Sequence, residues 1–282
     1  MRRPTPRSLI VDLLSTLRQG SMPVAALVQA AALFGIAEGS LRVALHRVQS
    51  EGRVERDERG QYRLGAAAAP VQSVVAGWRE LERRTRPWNG RWIGVHADFS
   101  PKRRSRIDVG ARALSLFGFE PLATHLHVRP ANLRVGVAGV RASLRQLGLP
   151  DTALVCEMGE LDRADDARAR ALWDGEALVR GYRAARREID RSGSRLASLP
   201  EAEAMVESFQ LGGRVLQQLV LDPLLPAPLV DERERRALLE SMRTYDQLGR
   251  NAWAGFLRRF GVPHRTAPAD TRWAAEGFGQ TA

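Results

Sequence analysis

The sequence predicts a mixed α+β protein built from several domains. First, 282 residues is long for a single domain. Second, helical periodicity near the N-terminus gives way to two short segments with β character around a tight turn. Third, extended and helical patterns alternate after residue 86, whereas the chain after residue 161 is helical in pattern. We therefore expect a helix-and-hairpin domain, a central β-α-β domain and a helical C-terminal domain.

Two helices are predicted first. Thr5 as N-cap and Pro6 at the first helical position begin one helix, in which apolar residues recur at helical spacing, and Gln19-Gly20 ends it. Ser21 is predicted to cap a second helix that runs through Phe34. Both helices have an apolar face to bury against a neighbour.

The stretch from Ile36 to Leu64 predicts a third helix and a β-hairpin. Leu41, Leu45 and Val48 form one apolar stripe. Two β segments follow the helix at positions 53–56 and 61–64, joined by the turn at 57–60. Three helices followed by a hairpin predict a winged helix-turn-helix domain over residues 1–65.

In such a domain the third helix enters the DNA major groove, where base edges carry a distinct donor and acceptor pattern. Groove-facing side chains and phosphate contacts are both predicted. The groove-facing residues are Ser40, Arg42, Val43, His46 and Arg47, and the phosphate contacts are Arg56, Arg59 and Arg63. The alternative is that Arg42 and Arg47 are ordinary solvated helix residues.

The rest of the chain is assigned to three further regions. Residues 66–86 are predicted to be a connecting helix, based on the periodicity from Pro70 to Arg84. Residues 87–161 alternate in the order β-α-β(β)-α-β, which predicts a ferredoxin-like domain. The extended part from Phe119 to Val128 is expected to bend near Thr124. Residues 162–262 predict a helical C-terminal domain, with a capping box at 198–201, and residues 263–282 a mobile tail.

Composition restricts the class of protein. With 44% hydrophobic and 27% charged residues the chain is not of disordered type. No run approaches the roughly 20 apolar residues of a membrane span, so no membrane association is expected. The N-terminus does not resemble a secretory signal, and we expect a cytoplasmic protein. The single Cys156 excludes an intramolecular disulfide.

The positive charge favours a polyanionic partner. The net charge is +11, and residues 1–65 alone contain ten arginines against six acidic residues. Residues after 160 are almost balanced, with nineteen basic against eighteen acidic residues. Double-stranded DNA or an anionic ligand is therefore expected to dock on the first 160 residues. Lys102 is the only lysine, and a GC-rich genome is therefore an alternative explanation for part of the arginine excess.

Three groups of motifs, in order along the chain, together resemble the PaaX-like family of transcriptional repressors. The first group is Leu41–Val48 with Glu51-Gly52. The second group is Trp88–Trp92, Gly118-Phe119 and Val128–Pro130. The third group is Leu172–Asp174, Tyr182 and Asp222–Pro226.

The resemblance implies a three-part protein: a winged helix, a central ferredoxin-like domain and a helical C-terminal domain. It also implies a homodimeric repressor that binds a palindromic operator and is released by an aryl-acyl-coenzyme A thioester in aromatic acid catabolism. No cofactor and no catalytic residue is implied. Two segments depart from the family pattern, at 215–221 and 229–233. If these segments help to bind the effector, the effector differs from phenylacetyl-coenzyme A.

Two sets of residues are candidates for effector binding. The densest basic cluster, at the predicted start of a helix, suits phosphates of coenzyme A or DNA. Trp88 and Trp92 suit stacking on an adenine or aryl group. The basic cluster comprises Lys102, Arg103, Arg104 and Arg106. The alternatives are a solvated helix face for the basic cluster and core or interface packing for the two tryptophans.

Other function classes have less support. Asp98, at the end of a predicted strand, makes a metal-dependent nuclease the alternative function, although a normal strand-to-helix turn also explains it. His125 and His127, predicted on one face of an extended segment, form a candidate metal site with His96. The chain supplies no placed carboxylate or Cys to complete that site, so no metal is predicted. A structural protein that binds DNA without sequence preference remains the third possibility.

Overall fold

The fold is α+β, with helices and two antiparallel sheets, as predicted. The structure is a computed structural model that describes residues 3–17, 21–97 and 104–264. The chain forms two compact units, each made of separate stretches of sequence. The first unit comprises residues 1–73, 186–216 and 240–282, and the second unit comprises 74–185 and 217–239. The predicted domain boundaries stay a prediction.

The first unit begins with three helices and a three-stranded sheet. The helices are α1 (Pro6–Thr16), α2 (Val24–Leu33) and α3 (Glu38–Ser50). The strands are β1 (Met22–Pro23), β2 (Val54–Arg56) and β3 (Gln61–Leu64). All pairs are antiparallel and the order is β1-β3-β2. The two predicted hairpin strands are confirmed, whereas β1 was not predicted.

The predicted start of α1 is confirmed and that of α2 is wrong. The Thr5 hydroxyl accepts from the Ser8 N–H at 3.1 Å, and Pro6 occupies the first turn. Ser21 does not cap α2, because the next two residues pair with β3 and the helix starts only at Val24. The Ser21 hydroxyl instead donates to Oε1 of Gln61 at 2.8 Å. The predicted end of α1 at 19–20 lies outside the described residues.

The hydrophobic core of the first unit combines residues distant in sequence. Leu9, Leu41 and Val48, all fully buried, belong to one cluster with Met205 and Trp253 from the C-terminal helices. Side chains of this cluster exclude water from the inner faces of α1, α2 and α3, and their burial stabilises the unit. Further members are Phe256 and Leu257 of the last helix and Val262, which follows that helix.

The second unit contains a four-stranded antiparallel sheet with the order β5-β6-β4-β7. The strands are β4 (Trp92–His96), β5 (Glu120–Ala123), β6 (Leu126–Pro130) and β7 (Leu154–Met158). The helices between them are α5 (Arg104–Leu116) and α6 (Gly136–Gln146). The break between β5 and β6 confirms the predicted bend near Thr124.

The single helix predicted from Pro70 to Arg84 is wrong. The chain forms α4 (Ala69–Ala76), preceded by a short 3₁₀ turn (Ala66–Ala68) and followed by a 3₁₀ segment (Gly77–Arg84). Glu80 has φ −118° and ψ 22°, outside the helical region. Gly77 favours the break because glycine is a weak helix former. The kinked path still buries Trp78 and Leu81.

Four further helices follow within the described residues: α7 (Arg163–Arg170), α8 (Gly175–Leu196), α9 (Glu201–Val220) and α10 (Glu232–Arg259). Asp162 caps α7, since its side chain accepts from the Asp165 N–H at 2.8 Å. The capping box predicted at Ser198 is wrong. Helix α9 begins only at Glu201, so Ser198 lies before its N-cap position, and the Ser198 hydroxyl donates to the Arg195 carbonyl of the preceding helix. The predicted tail lies outside the described residues from 265 onward.

Arg129, on β6, is the most buried cation among the described residues of the second unit, with 1% of its surface exposed against 6% for Arg235. Its guanidinium donates to the carbonyls of Phe117, Pro130 and Pro223 and to Oδ1 of Asn132. Burial lowers its pKa to about 9, yet these acceptors favour the charged form. A buried charge is tolerated only when its donors are satisfied, so Arg129 fixes the positions of all four acceptors.

The segment from Asp222 to Leu225 is held by the same buried network. The Asp222 carboxylate accepts from the Tyr182 hydroxyl and the Leu224 N–H, and lies 3.6 Å from the Arg235 guanidinium. Burial, with Asp222 nearby, raises the pKa of Tyr182, so the phenol remains a donor. Gly118 has φ +67°, and a Cβ there would approach the Pro223 backbone to 2.5 Å. Only glycine therefore fits at this contact.

Tyr182→Phe is expected to lower the free energy of unfolding by about 1–3 kcal/mol, because the buried Asp222 carboxylate loses one donor. Urea denaturation measures this change. Tyr62→Phe is the matched control, since its hydroxyl makes no hydrogen bond within the described residues, and it should change stability by less than about 0.5 kcal/mol. Equal effects of the two substitutions would contradict a stabilising role for the Tyr182–Asp222 bond.

Candidate DNA-binding surface

Helix α3 has one buried and one exposed face. Leu41, Leu45 and Val48 are at most 4% exposed and turn toward the core of the first unit. All of the residues predicted to face the groove are exposed on the opposite side of the helix. They are Ser40, Arg42, Val43, His46 and Arg47. The structure therefore brings these five side chains onto one continuous surface, as an amphipathic helix requires.

The two arginines of α3 differ in their surroundings. Arg42 donates from Nε to Oε1 of Glu38 at 2.7 Å, and a second guanidinium nitrogen lies equally close to that oxygen. Both side chains of this pair are more than half exposed. Arg47, by contrast, has no ion-pair partner among the described residues. Its charge in the last turn also complements the helix dipole.

The hairpin presents the three predicted phosphate-binding arginines on exposed positions. Arg56 lies over the Tyr62 ring at 5.9 Å, and Arg63 is 3.4 Å from a carboxylate oxygen of Glu55. Arg59 lies in the turn between β2 and β3. Asp57 shapes that turn, because its Oδ1 accepts the N–H groups of Arg59 and Gln61 at 3.0 and 2.8 Å. This organising role of Asp57 was not predicted from the sequence.

A further contact of this surface was also missed. Arg7, in the first turn of α1, forms an ion pair with Glu51, which follows the last turn of α3. Arg7 is about half exposed, so part of its guanidinium faces solvent. The N-cap at Thr5 predicts that Arg7 lies in the first turn of α1. No local sequence pattern predicts that this turn contacts Glu51.

The residues predicted to bind an effector are only partly described. Lys102 and Arg103 lie outside the described residues, and only the backbone of Arg104 and Arg106, in α5, is described. Trp92 is 1% exposed and donates from Nε1 to Asp166 at 3.1 Å. Trp88 packs edge to face against Trp92 at 5.0 Å, and Arg170 lies 4.7 Å from the Trp88 ring. Trp173 stacks on Trp92 at 6.0 Å.

The metal and nuclease candidates gain nothing from the structure. Asp98 lies outside the described residues. His125 does not share a strand face with His127, because it occupies the β5–β6 turn with φ 61°. Burial lowers the pKa of His127, and so does the adjacent His125. Within residues 3–17, 21–97 and 104–264, no three His, Cys, Asp or Glu side chains are grouped to hold a metal ion.

None of the helices in the described part of the chain combines the length and hydropathy needed to cross a bilayer.

Comparisons with known proteins agree with the resemblance in the N-terminal segment. The model of the PaaX family, described as PaaX-like protein, matches residues 5–68, which confirms the predicted resemblance there. This match suggests a regulator of transcription. The solved structure titled "Uncharacterized protein Rv0674 from Mycobacterium tuberculosis" is similar with a TM-score of 0.53 and 23% identity. The similarity covers 88% of this chain and 98% of that chain, and supports the fold alone. No curated protein matches the sequence.

Glu38→Gln is expected to change the free energy of unfolding by less than about 1 kcal/mol, because the Glu38–Arg42 pair is exposed and screened. Urea denaturation in low and high salt measures the effect, which should shrink as salt is added. Glu240→Gln, which breaks a surface pair with Arg243, is the control. A loss above about 2 kcal/mol for Glu38→Gln alone would show that the pair is structurally essential.

Proposed function

We propose that this protein is a cytoplasmic transcriptional repressor whose N-terminal domain binds a palindromic operator as a homodimer. The exposed cationic face of α3 carries the proposal, together with its position inside the segment matched by the PaaX-like model. Exposed arginines on one helix face suit the negatively charged backbone and the acceptor atoms of guanine in the major groove.

The arrangement of elements in the first unit supports a winged helix. Three helices are followed by an antiparallel hairpin, β2 and β3, and the additional strand β1 extends that sheet. In the second unit the strand order β7-β4-β6-β5, with one helix after β4 and one after β6, is the order of a split β-α-β domain. These similarities support a winged-helix domain followed by a ferredoxin-like domain.

In the proposed complex α3 enters the major groove. Its base edges are then reached by Arg42 and Arg47, and the groove is also contacted by Ser40, Val43 and His46. The phosphates are contacted by three arginines of the hairpin, Arg56, Arg59 and Arg63. The Glu38 carboxylate limits the directions in which the Arg42 guanidinium can point, which favours one bidentate geometry over others. Two such domains in a dimer would read two half-sites.

We further propose that an acyl-coenzyme A thioester releases the repressor from DNA. The net positive charge of residues 86–160, eleven basic against six acidic, suits the phosphates of coenzyme A. Helices α8, α9 and α10 each contribute residues to both compact units, so a ligand that alters the second unit acts on the same helices. Such a coupling is typically worth about 1–3 kcal/mol.

Arg47→Ala is expected to reduce affinity for the operator by about 1–3 kcal/mol and to lower its discrimination from random DNA. Arg59→Ala should instead weaken binding to both DNAs alike and reduce the salt slope by about one. Gel retardation with the protein's own promoter region, at several salt concentrations, measures both. Arg236→Ala, an exposed arginine of α10, removes the same charge as a control. If wild-type protein retards its promoter no better than random DNA, the proposed function is wrong.

A coenzyme A thioester that binds the folded protein is expected to raise its melting temperature. At 100 times its Kd a ligand stabilises by about 2.7 kcal/mol. Thermal shift with phenylacetyl-coenzyme A, benzoyl-coenzyme A and acetyl-coenzyme A tests the ligand class, with free coenzyme A as control. The stabilising thioester should also release retarded DNA. Absence of both effects across the series would reject this class of effector.

A further inference from the structure

Gly39 lies in the first turn of α3, and no contact or backbone conformation within the described residues requires a glycine at this position. It is exposed, and its φ is not positive. A Cβ built at Gly39 would meet no atom within 4 Å. Alanine would fit there and would favour the helix, because glycine is the weakest helix former after proline. The lack of a side chain at this position therefore has no explanation in backbone strain or internal packing.

Val43 lies one turn further along the same exposed face. Residues four apart are neighbours on a helix surface, so the Val43 side chain stands beside the gap left by Gly39. Val43 is 55% exposed, although it is a β-branched apolar residue on a helix whose other exposed positions are mostly polar. An apolar side chain beside an open position suits contact with an apolar group of a partner.

The positions of Gly39 and Val43 around the helix axis show which part of α3 faces a partner. At 100° per residue, Gly39 and Val43 lie within about 30° of the line opposite the stripe of Leu41, Leu45 and Val48, and His46 lies about 45° from that line on the side of Arg42. Arg42 and Arg47 lie on either side of that line. A partner held by both arginines therefore comes closest to the helix at Gly39 and Val43.

We propose that Gly39 and Val43 form the strip of α3 that lies against the floor of the major groove, and that Val43 packs on a thymine methyl group. This inference rests on the proposed function and identifies part of its specificity. The thymine methyl is the apolar group that base pairs present in that groove, and small apolar side chains recognise it. The missing Cβ at Gly39 lets the helix approach closely enough for this contact.

The first test separates binding from stability at Gly39. Gly39→Ala should raise the urea midpoint, because alanine favours the helix, and yet weaken operator binding by about tenfold through a steric clash with DNA. Gly213→Ala is the matched control: Gly213 is an exposed glycine of α9 whose Cβ would also meet nothing within 4 Å. It should raise the urea midpoint and leave DNA binding unchanged.

The second test removes the methyl groups from the DNA. The promoter fragment is amplified with deoxyuridine triphosphate in place of thymidine triphosphate, which changes each thymine only by loss of its methyl. Wild-type affinity should fall by about fifteenfold on this probe, the value for two buried methyl groups, one in each half-site of the proposed dimer. Val43→Ala should bind the ordinary fragment more weakly by a similar factor and should not distinguish the two fragments.

The outcomes separate this inference from the function on which it rests. If wild-type protein does not prefer its promoter over random DNA, the proposed function fails and the strip fails with it. If wild type prefers its promoter but Gly39→Ala binds equally well, the close approach is wrong. If Val43→Ala remains as sensitive to deoxyuridine as wild type, the methyl contact is wrong. If Val43→Ala changes only the oligomeric state, Val43 contacts protein, which also overturns the proposal.

Discussion

The buried guanidinium of Arg129 is the constraint on which the second compact unit depends. A cation with 1% exposure must satisfy its donors inside the protein, because transfer of an unpaired charge from water is very costly. Its acceptors come from the end of α5, from β6 and its following turn, and from the segment after α9. These pieces, up to 106 residues apart in sequence, are consequently fixed in one arrangement. Loss of the Arg129 guanidinium would leave acceptors in all of these pieces unpaired.

This network gives a physical meaning to several residues that carried the family resemblance. Gly118 accommodates the Pro223 backbone, Arg129 binds the Pro223 carbonyl, and Tyr182 donates to Asp222. The motif residues of the second and third groups therefore make internal contacts within the second unit. They stabilise a particular backbone path, and these contacts do not imply that the residues touch a ligand.

Local sequence patterns predicted much of the fold but could not predict contacts between residues that are far apart in the sequence. The periodicity of Leu41, Leu45 and Val48 was sufficient to place α3 and its exposed face, since both depend on neighbours in sequence. Strand β1 was missed because two residues have too little pattern, and a proline within them disfavours a strand. The Glu38–Arg42 pair, four residues apart on α3, follows from the same periodicity, whereas the packing of Met205 into the N-terminal core depends on the tertiary structure.

The participation of Met205, Trp253 and Phe256 in the core of α1, α2 and α3 has a consequence for engineering. Many DNA-reading modules are transplanted by cutting the chain just after the hairpin and fusing the piece to a new sensor. A cut after residue 65 in this chain would leave the inner surface of the three helices without part of its apolar cover, and exposed apolar surface promotes aggregation. A hybrid regulator made from this protein should retain its C-terminal helices and exchange parts of the second unit instead.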